Sequence, residues 1–512
     1  MKKIFASFAV LLMAAATFFV IFSMHYTLPQ SKQSSEIESN QEKPQRNIYD
    51  IKLEYDGANH IKAEMDLTYV NNSGASMKEL YFHLYPNIFR DKKHLPFFSW
   101  DLDLVFPDGM STGGIDILEA RQDGEPVEWT ILNGDEALKL ALKKPVDPGK
   151  DSKIQLKFAL TVPRANYRFG YRVFGKDRIT LSLGNWYPLL AIYDGGKWSL
   201  DKHPAFGDPT YSDISDYTVR FTVPQDFTVA ASGALQGKSA KDGKTIYTYS
   251  MEKIRDFAAA LSNNYETVED YVDGIKVISY FHPEDKKGGL MALDIVKHAL
   301  SMYNDSFGKY PYPELRFAEA NFYAGGMEFP TFIMMNTAKY KEPNLSSASF
   351  ERSAAHEVAH QWWYALVGND QINEPWVDEG LTEFSALYYF EKRYGLAGRK
   401  SYFERQVNSN MNLIRQSPRK MQDPVRLFKN NREYFAVVYV KGALFYEDLK
   451  NTIGEEKMLD FLRSYFDTYK YNNVSFREFI EFLKQKHYPG IDDAFFKKWF
   501  YSPLSPMPKR SS

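Results

Sequence analysis

The hydrophobic periodicity of this sequence changes once along the chain, and that change constrains the fold. Between residues 47 and 269, apolar and polar residues alternate in runs that end at Gly, Pro, Asn or Asp, the pattern of half-buried antiparallel strands. After residue 270, helical spacing dominates, with a helix over 290–307 and short strands over 315–322 and 331–335. We predict an α+β protein with an N-terminal antiparallel β-sandwich or saddle-like domain over 47–269 and a mainly helical domain over 270–512. A cleft is expected at their junction.

Length and composition exclude several classes of protein. A chain of 512 residues is too long for one hydrophobic core and is expected to form two or three domains. The 63 Lys and Arg residues nearly balance the 65 Asp and Glu residues, so no overall electric field recruits nucleic acid. Because the sequence contains no Cys, disulfides and thiolate metal sites are excluded, and any metal site must use His and carboxylate ligands.

The N-terminal segment has the composition of a membrane anchor. Lys2 and Lys3 precede residues 4–24, which carry no charge and are long enough as a helix to cross a bilayer. Positive charge before such a span favours a cytoplasmic N-terminus. We predict a signal-anchor transmembrane helix over 1–24, a polar stalk over 25–46 and an extracytoplasmic catalytic part at the cell membrane. The alternative is a signal peptide that is cleaved, which gives a secreted protein.

The strongest chemical signal lies in the second half of the chain. It is the motif His356-Glu357-Val358-Ala359-His360. In a helix, residues four apart share a face, so the two imidazoles can converge on one metal ion. Glu357 faces the same cleft without being a ligand. The alternative interpretation is a structural helix with two hydrogen-bonded histidines.

A carboxylate that can complete the site follows 18 residues after this motif. Glu379 stands in a Trp-Val-Asp-Glu-Gly segment at the start of a second predicted helix. Two His and one Glu make the three-ligand set of a catalytic zinc ion, with the fourth position left for water. We predict one Zn²⁺ per chain, held by His356, His360 and Glu379. Glu383 is either a hydrogen-bond acceptor for one of these histidines or a solvent-exposed charge.

These motifs resemble those of the M1 family of zinc aminopeptidases, members of the thermolysin-like gluzincin group. Two further segments match that family in order and approximate spacing. Gly325-Gly326-Met327-Glu328 resembles its exopeptidase motif, and Tyr439-Val440-Lys441-Gly442-Ala443 resembles the segment that holds its catalytic tyrosine. The resemblance implies a thermolysin-like, mainly helical catalytic domain. Because the chain stops soon after Trp499, where larger relatives continue, we expect a short form that lacks the C-terminal helical domain and has a more open site.

The resemblance also implies a role for each matched residue. Glu357 would accept a proton from a metal-activated water that attacks the scissile carbonyl, and would then protonate the leaving amine. The Tyr439 hydroxyl would stabilise the developing oxyanion, with Tyr434 as a rival for this role. Glu328 would bind the free α-ammonium group of the peptide. Further substrate contacts would come from Gly325, Gly326 and Met327. The implied function is that of a zinc metallopeptidase that removes N-terminal residues from peptides.

Departures from the family pattern leave other functions open. The family usually has Asn after the exopeptidase Glu, whereas Phe329 and Pro330 follow here. Many members also supply a second amine-binding residue from the β domain, for which Asn185 is the candidate. One alternative is therefore a zinc endopeptidase of broader specificity. Another is a non-catalytic, membrane-anchored peptide-binding protein, against which the intact Glu357 argues. The expected partners are peptides with a free N-terminus and the membrane, and no nucleic acid.

Overall fold

A computed structural model of the protein describes residues 46–93, 95–341 and 348–501. The predicted anchor over 1–24 and the predicted stalk, apart from its last residue Arg46, lie outside the described residues. Within those residues, no helix combines the length and the apolar character that crossing a bilayer requires.

The first half of the chain is mainly antiparallel β-structure around a buried core, as the alternating pattern predicts. In Ser215–Pro224 every second residue is buried, because successive side chains of a strand point to opposite faces. One pair departs from the antiparallel arrangement, since Ile48–Tyr55 runs parallel to Ser215–Pro224. The largest sheet has eight strands, which in spatial order are Ala234–Lys241, Lys244–Ile254, Ser215–Pro224, Ile48–Tyr55, His60–Val70, Asp151–Thr161, Gly114–Gln122 and Glu125–Pro126.

Smaller sheets complete this half. One four-stranded sheet has the order Thr228–Ala231, Ala259–Ser262, Arg178–Leu183 and Phe169–Phe174. The other has the order Leu189–Leu190, Met77–His83, Ala137–Val146 and Glu128–Leu132. A two-stranded ribbon joins Tyr193–Asp194 to Lys197–Trp198.

The second half begins with a mixed five-stranded sheet. Its spatial order is Glu266–Val272, Ile275–Phe281, Glu314–Ala320, Phe332–Asn336 and Gly326–Met327. The two central pairings are parallel and the two outer pairings are antiparallel. The strands predicted over 315–322 and 331–335 are confirmed to within two residues. The predicted boundary between 269 and 270 falls inside the first strand of this sheet, and the division into two domains stays a prediction.

Most helices follow the five-stranded sheet, and one short helix lies in the first half. In chain order, the α-helices are α1 (Leu102–Val105), α2 (Lys286–Phe307), α3 (Ala348–Ala359), α4 (Trp376–Tyr402), α5 (Ser409–Gln416), α6 (Asn431–Tyr434), α7 (Lys441–Ile453), α8 (Glu455–Tyr469), α9 (Phe476–Gln485) and α10 (Asp493–Phe496). Helix α2 confirms the helix predicted over 290–307 and begins one turn earlier. Wider π-helical turns occur at Phe403–Asn408, Phe435–Val440 and Lys497–Tyr501. Short 3₁₀ turns occur at Tyr85–Phe89, Pro283–Asp285, Thr337–Lys339 and Val425–Leu427, and a parallel bridge pairs Val367–Gly368 with Asn472–Asn473.

Helices α4 and α7 cross where each carries a glycine. A Cβ atom added to Gly442 would lie 2.6 Å from the Cα atom of Gly380, so neither position accommodates a side chain without movement. The crossing brings Glu379, which precedes Gly380, close to the π-helical turn Phe435–Val440, which leads into α7. The two glycines therefore allow the segment that carries Glu379 and the turn that leads into α7 to lie side by side.

Candidate active site

The three predicted metal ligands lie together on α3 and α4. The Nε2 atoms of His356 and His360 are 3.2 Å apart, and the Glu379 Oε2 atom is 3.2 Å from the first and 3.3 Å from the second. All three side chains are buried. The backbone N–H of His360 donates to the His356 carbonyl at 3.2 Å, so helical geometry continues one residue beyond α3 and keeps both imidazoles on one face.

The donor atoms of this triad fit a metal ion. The Nδ1 atom of His360 donates to the Trp363 carbonyl at 2.8 Å, and Nδ1 of His356 lies 3.0 Å from the Glu383 carboxylate. With both protons on Nδ1, two imidazole lone pairs and a carboxylate oxygen face one point, and a cation there satisfies all three. Their separations match the roughly 3.3–3.4 Å edge of a tetrahedron whose arms are about 2.0–2.1 Å, the size of a zinc site.

Glu383 supports this triad. Its side chain is fully buried and accepts hydrogen bonds from His356 and from Arg352, whose Nε atom is 3.0 Å away. Burial raises the pKa of Glu383, but Arg352 and His356 outweigh burial and lower that pKa to about 2. Burial likewise lowers the pKa of His356, but the carboxylates of Glu379 and Glu383 outweigh it and raise that pKa to about 9. The site therefore favours positive charge between its carboxylates.

Glu357 lies beside the triad without belonging to it. Its carboxylate is within reach of Glu328 and His360, with one ligand atom from each of the three residues inside 4.8 Å. Burial and the nearby charge of Glu379 raise the pKa of Glu357 to about 7, against the two histidines, which lower it. A carboxylate with such a pKa can both accept and return a proton near neutral pH.

The glycines of the predicted exopeptidase motif bring backbone against Glu357. Gly326 pairs with Met335 in the five-stranded sheet, and a Cβ atom added to Gly326 would lie 2.6 Å from the Glu357 Oε1 atom. Both Gly325 and Gly326 line the cavity above the triad. Met327, which was also predicted to contact substrate, has a buried side chain that does not line this cavity.

Glu328 lines the cavity as predicted, and Phe329 does not. Gln371 donates to the Glu328 Oε1 atom at 3.1 Å, and burial raises the pKa of Glu328 to about 7 against the opposing effect of His360. The Phe329 ring packs so tightly on Gly184 that a Cβ atom there would lie 2.4 Å from its Cζ atom. Phe329, which stands where the family usually has Asn, therefore packs outside the cavity.

Tyr439 is the tyrosine nearest the triad. Its hydroxyl donates to the Glu379 Oε1 atom, and its ring stacks on His356 with centroids 5.6 Å apart. Burial and the charge of Glu379 hold the pKa of Tyr439 well above its ordinary value, so the hydroxyl keeps its proton. Tyr434 also lines the cavity, but its hydroxyl points toward Gly207, where a Cβ atom would lie 3.1 Å away.

The β-rich half supplies a buried ion pair that the sequence did not reveal. Asp208 and Arg168 both line the cavity and lie 3.0 Å apart. The Arg168 guanidinium lies over the rings of Tyr167 and Phe322, at 5.3 and 5.8 Å. Burial and the charge of Glu328 raise the pKa of Asp208 to about 7 although Arg168 lowers it. The only local signal is an acid before a proline in a turn-rich stretch, which also fits an ordinary surface turn.

Asn185, the candidate for a second amine-binding residue, lies outside the cavity. Its Nδ2 atom donates to Asp256 at 2.9 Å and lies 3.3 Å from the Thr210 hydroxyl. It does not line the cavity, whereas Asp208 does. The second acid near Glu328 is therefore Asp208.

A family comparison identifies the part of the chain that carries this geometry. The family described as the peptidase family M1 domain matches residues 291–499. These residues include the triad as well as Glu328, Glu357 and Tyr439. Residues 291–499 of this chain are thus similar to the peptidase family M1 domain. The triad, the strand Gly326–Met327 and Tyr439 thus all lie within the matched segment.

Curated relatives of this M1 domain are longer proteins. Aminopeptidase M1-B of Oryza sativa subsp. japonica is 25% identical over 306 residues, which are 57% of this chain and 34% of the relative. Aminopeptidase N of Lactobacillus helveticus is 22% identical over 384 residues, which are 69% of this chain and 42% of the relative. The chain thus spans between about a third and two fifths of the length of these relatives.

A solved structure has the same fold over nearly its whole length. The M1 zinc metallopeptidase from Deinococcus radiodurans is 18% identical, with a TM-score of 0.64 over 90% of this chain and 94% of that one. Both chains therefore share a sheet-rich first part followed by a mainly helical part.

Proposed function

We propose that this protein is a zinc-dependent aminopeptidase that removes N-terminal residues from peptides. The observation that carries the proposal is the arrangement of charge in one cavity of about 400 Å³, where Glu328 and Asp208 lie beside the triad of His356, His360 and Glu379. Two acids beside a hydrolytic metal site provide a place for one substrate ammonium group at a fixed distance from the scissile bond. The relatives named above are aminopeptidases, which agrees with this function.

The residues of the triad would hold the zinc ion, and neighbouring residues would handle protons. When bound, zinc supplies Lewis acidity, which activates water and polarises the scissile carbonyl. Glu357 accepts the proton released on attack and returns it to the leaving amine, as a pKa near 7 allows. The protonated Tyr439 hydroxyl donates to the oxyanion as negative charge develops on it. Glu328 and Asp208 accept hydrogen bonds from the substrate ammonium group.

We further propose that residues 270–512 form a thermolysin-like catalytic domain and that residues 47–269 form a separate β domain. The helical ligand pair on α3 and the third ligand on α4 support the first part. The zinc endopeptidase alternative rests on Phe329 and on the expected open site, and the packing of the Phe329 ring on Gly184 weakens the first of these two reasons. An M1 zinc metallopeptidase from Deinococcus radiodurans bound to a Tyr-Ser-Ala substrate, and two-domain M1 zinc metallopeptidase structures bound to L-tryptophan and to L-arginine, agree with an exopeptidase.

We also propose that residues 1–24 anchor the protein in the cell membrane with the catalytic part outside the cytoplasm. The two lysines and the uncharged segment that follows them support this location. The test is the fraction of full-length protein that sediments with membranes, together with its sensitivity to protease added to intact cells. Recovery of the protein only inside the cell would contradict the proposal, and release into the medium would favour the cleaved signal peptide.

The activity is tested with pairs of peptides that differ only in N-terminal acetylation. We expect stepwise release of single N-terminal residues from the free peptides and at least a hundredfold slower hydrolysis of the acetylated ones, because acetylation removes the charge that Glu328 and Asp208 bind. Glu357→Gln should abolish turnover, whereas the matched substitution Glu456→Gln, at an exposed position on α8, should not. Undiminished cleavage of acetylated peptides, or internal cleavage products in the mass spectrum, would contradict the proposed function.

A further inference from the structure

The charged side chains that line the cavity lie at different positions along the axis of α3. Glu328 lies at the end of the triad marked by His360, since ligand atoms of these two residues are within 4.8 Å. Arg352 also lines the cavity but stands on α3 one turn before His356. At 1.5 Å per residue, Arg352 and His360 are about 12 Å apart along the helix axis. Glu328 and Arg352 therefore lie on opposite sides of the metal triad, while Arg168, which also lines the cavity, is paired with Asp208.

Among the residues that the structure describes, the basic end carries a positive charge that has no carboxylate partner. Arg352 is neutralised by Glu383, and its guanidinium lies over the Phe435 ring at 5.1 Å. Arg432 lies one helical turn before Phe435, lines the same cavity and is exposed. Within the described part of the chain, Arg432 makes no ion pair. The amide side chains of Asn410 and Asn431 line the cavity beside it.

We propose that Arg432 binds a carboxylate of the substrate on the leaving-group side of the scissile bond. The inference rests on the proposed aminopeptidase function, because that function fixes the direction of the peptide. With the ammonium group at Glu328 and the scissile carbonyl at the triad, the residues that follow run toward Arg352 and Arg432. An extended peptide advances about 3.3 Å per residue, so the 12 Å span corresponds to three or four residues. A peptide of this length would extend from the level of His360 to the level of Arg352, and its C-terminal carboxylate is the group that we expect Arg432 to bind.

A substrate carboxylate that binds Arg432 can come from two sources. One is the terminal carboxylate of a dipeptide or tripeptide, and the other is an acidic side chain in a longer peptide. We commit to the terminal carboxylate, since the cavity volume of about 400 Å³ is near the lower limit of pockets that hold a small ligand. The substrate class is then short peptides with both ends free.

The experiment compares free acids with C-terminal amides. Tripeptides and hexapeptides with the same first two residues and a free N-terminus are prepared in both forms. A further pair of hexapeptide amides carries Asp or Asn at the third position. The zinc-loaded full chain is used as wild type, Arg432→Gln, Arg432→Lys and the matched control Arg415→Gln, which removes an exposed charge on α5 outside the cavity. The measured quantities are KM and kcat at low and at high salt.

For the wild type, we expect KM for the tripeptide acid to be about fivefold lower than for its amide, with similar kcat, as one exposed ion pair provides. High salt should reduce this ratio. Arg432→Gln should bring the ratio close to one, Arg432→Lys should retain part of it, and Arg415→Gln should retain all of it. The preference for the acid should vanish in hexapeptides.

Other outcomes separate this inference from the proposed function. Equal KM values for tripeptide acid and amide in the wild type would overturn the inference, while their turnover would leave the aminopeptidase function intact. A preference for Asp over Asn in the hexapeptide amides, without a preference for tripeptide acids, would overturn the terminal-carboxylate source. Failure to cleave any free-amine peptide would contradict the proposed function itself. The wild-type comparison decides the question even if Arg432→Gln does not fold.

Discussion

At the scale of single residues, Asp208 illustrates how a charge from the β-rich half completes a site in the helical half. We predict that Asp208→Asn raises KM for free-amine peptides by at least about tenfold, with a smaller change in kcat. The reason is the loss of one charge-assisted hydrogen bond to the substrate ammonium group, which contributes roughly 1.5–3 kcal/mol. Steady-state kinetics measure both constants. Asp242→Asn, in an exposed turn, is the matched control, and an unchanged KM in Asp208→Asn would contradict the assignment.

For Asp256 we predict that the free energy of unfolding depends on pH. Its carboxylate is buried beneath Tyr187 and Asn185, and burial raises its pKa from 3.8 to about 6 although three hydrogen bonds lower it. A group whose folded pKa is raised stabilises the fold fully below its unfolded pKa, and this contribution is lost as pH rises through the folded pKa. Between pH 4 and pH 7, the titration of Asp256 should therefore lower the free energy of unfolding by about 2 kcal/mol.

Asp256→Asn removes the titrating group and should flatten that pH dependence. Denaturant unfolding of both proteins at several pH values between 4 and 7 gives the two slopes. The difference between the slopes is informative even if the Asn variant is less stable at every pH, since Asn cannot accept from both neighbours. Parallel curves for the two proteins would contradict a raised pKa at this position.

At the scale of elements, the crossing of α4 and α7 controls the position of the third metal ligand. Gly442→Ala places a Cβ atom within 2.6 Å of the Gly380 backbone, so the helices must separate. We predict a loss of about 1–3 kcal/mol in unfolding free energy and weaker zinc binding, because Glu379 precedes Gly380. Thermal unfolding and zinc titration measure the two effects.

The matched control is Gly74→Ala, where an added Cβ atom has no neighbour within 4 Å. That substitution should leave both unfolding and zinc binding near the wild-type values. A Gly442→Ala variant with wild-type zinc affinity would show that the crossing does not position Glu379.

The elements also show what can be read from sequence. The strand Ser215–Pro224 and helix α2 were predictable because each has a regular spacing of apolar residues that its own backbone geometry imposes. The approach of α3 and α4 was predictable from two His and one Glu that need a common ion. The parallel pairing of Ile48–Tyr55 was not, because strand order is decided by contacts between segments far apart in the chain.

At the scale of the whole molecule, Arg255 links the two halves by hydrogen bonds. It is fully buried, and its guanidinium donates to the Ala365 carbonyl at 3.2 Å, the Ser212 carbonyl at 2.9 Å and the Asn473 side chain at 2.7 Å. We predict that Arg255→Met destabilises the protein by at least about 2 kcal/mol, because it leaves buried acceptors unsatisfied. Denaturant unfolding measures this loss.

Arg220→Met is the matched control for Arg255→Met. Arg220 pairs with Asp50 at a partly exposed position, where an ion pair contributes about 1 kcal/mol or less. Equal destabilisation by the two substitutions would contradict a linking role for Arg255.

The long-range assembly of the cavity is also the part that the sequence could not reveal. Asp208 and Glu328 come from different halves, and no spacing relates them. The expectation for Asn185 failed because a polar residue near the right place in sequence can turn toward a buried partner, here Asp256, instead of the cavity. Local motifs therefore identified the metal triad and Glu328, while Asp208 became apparent only in the folded chain.

The most direct test of the central claim is the zinc content of the purified full-length protein and of its Glu379→Gln variant, measured by elemental analysis. We predict one zinc ion per wild-type chain and a strongly reduced content in the variant, with peptidase activity that follows the zinc content. A wild-type protein that hydrolyses peptides without zinc, or a variant with undiminished zinc, would contradict the account.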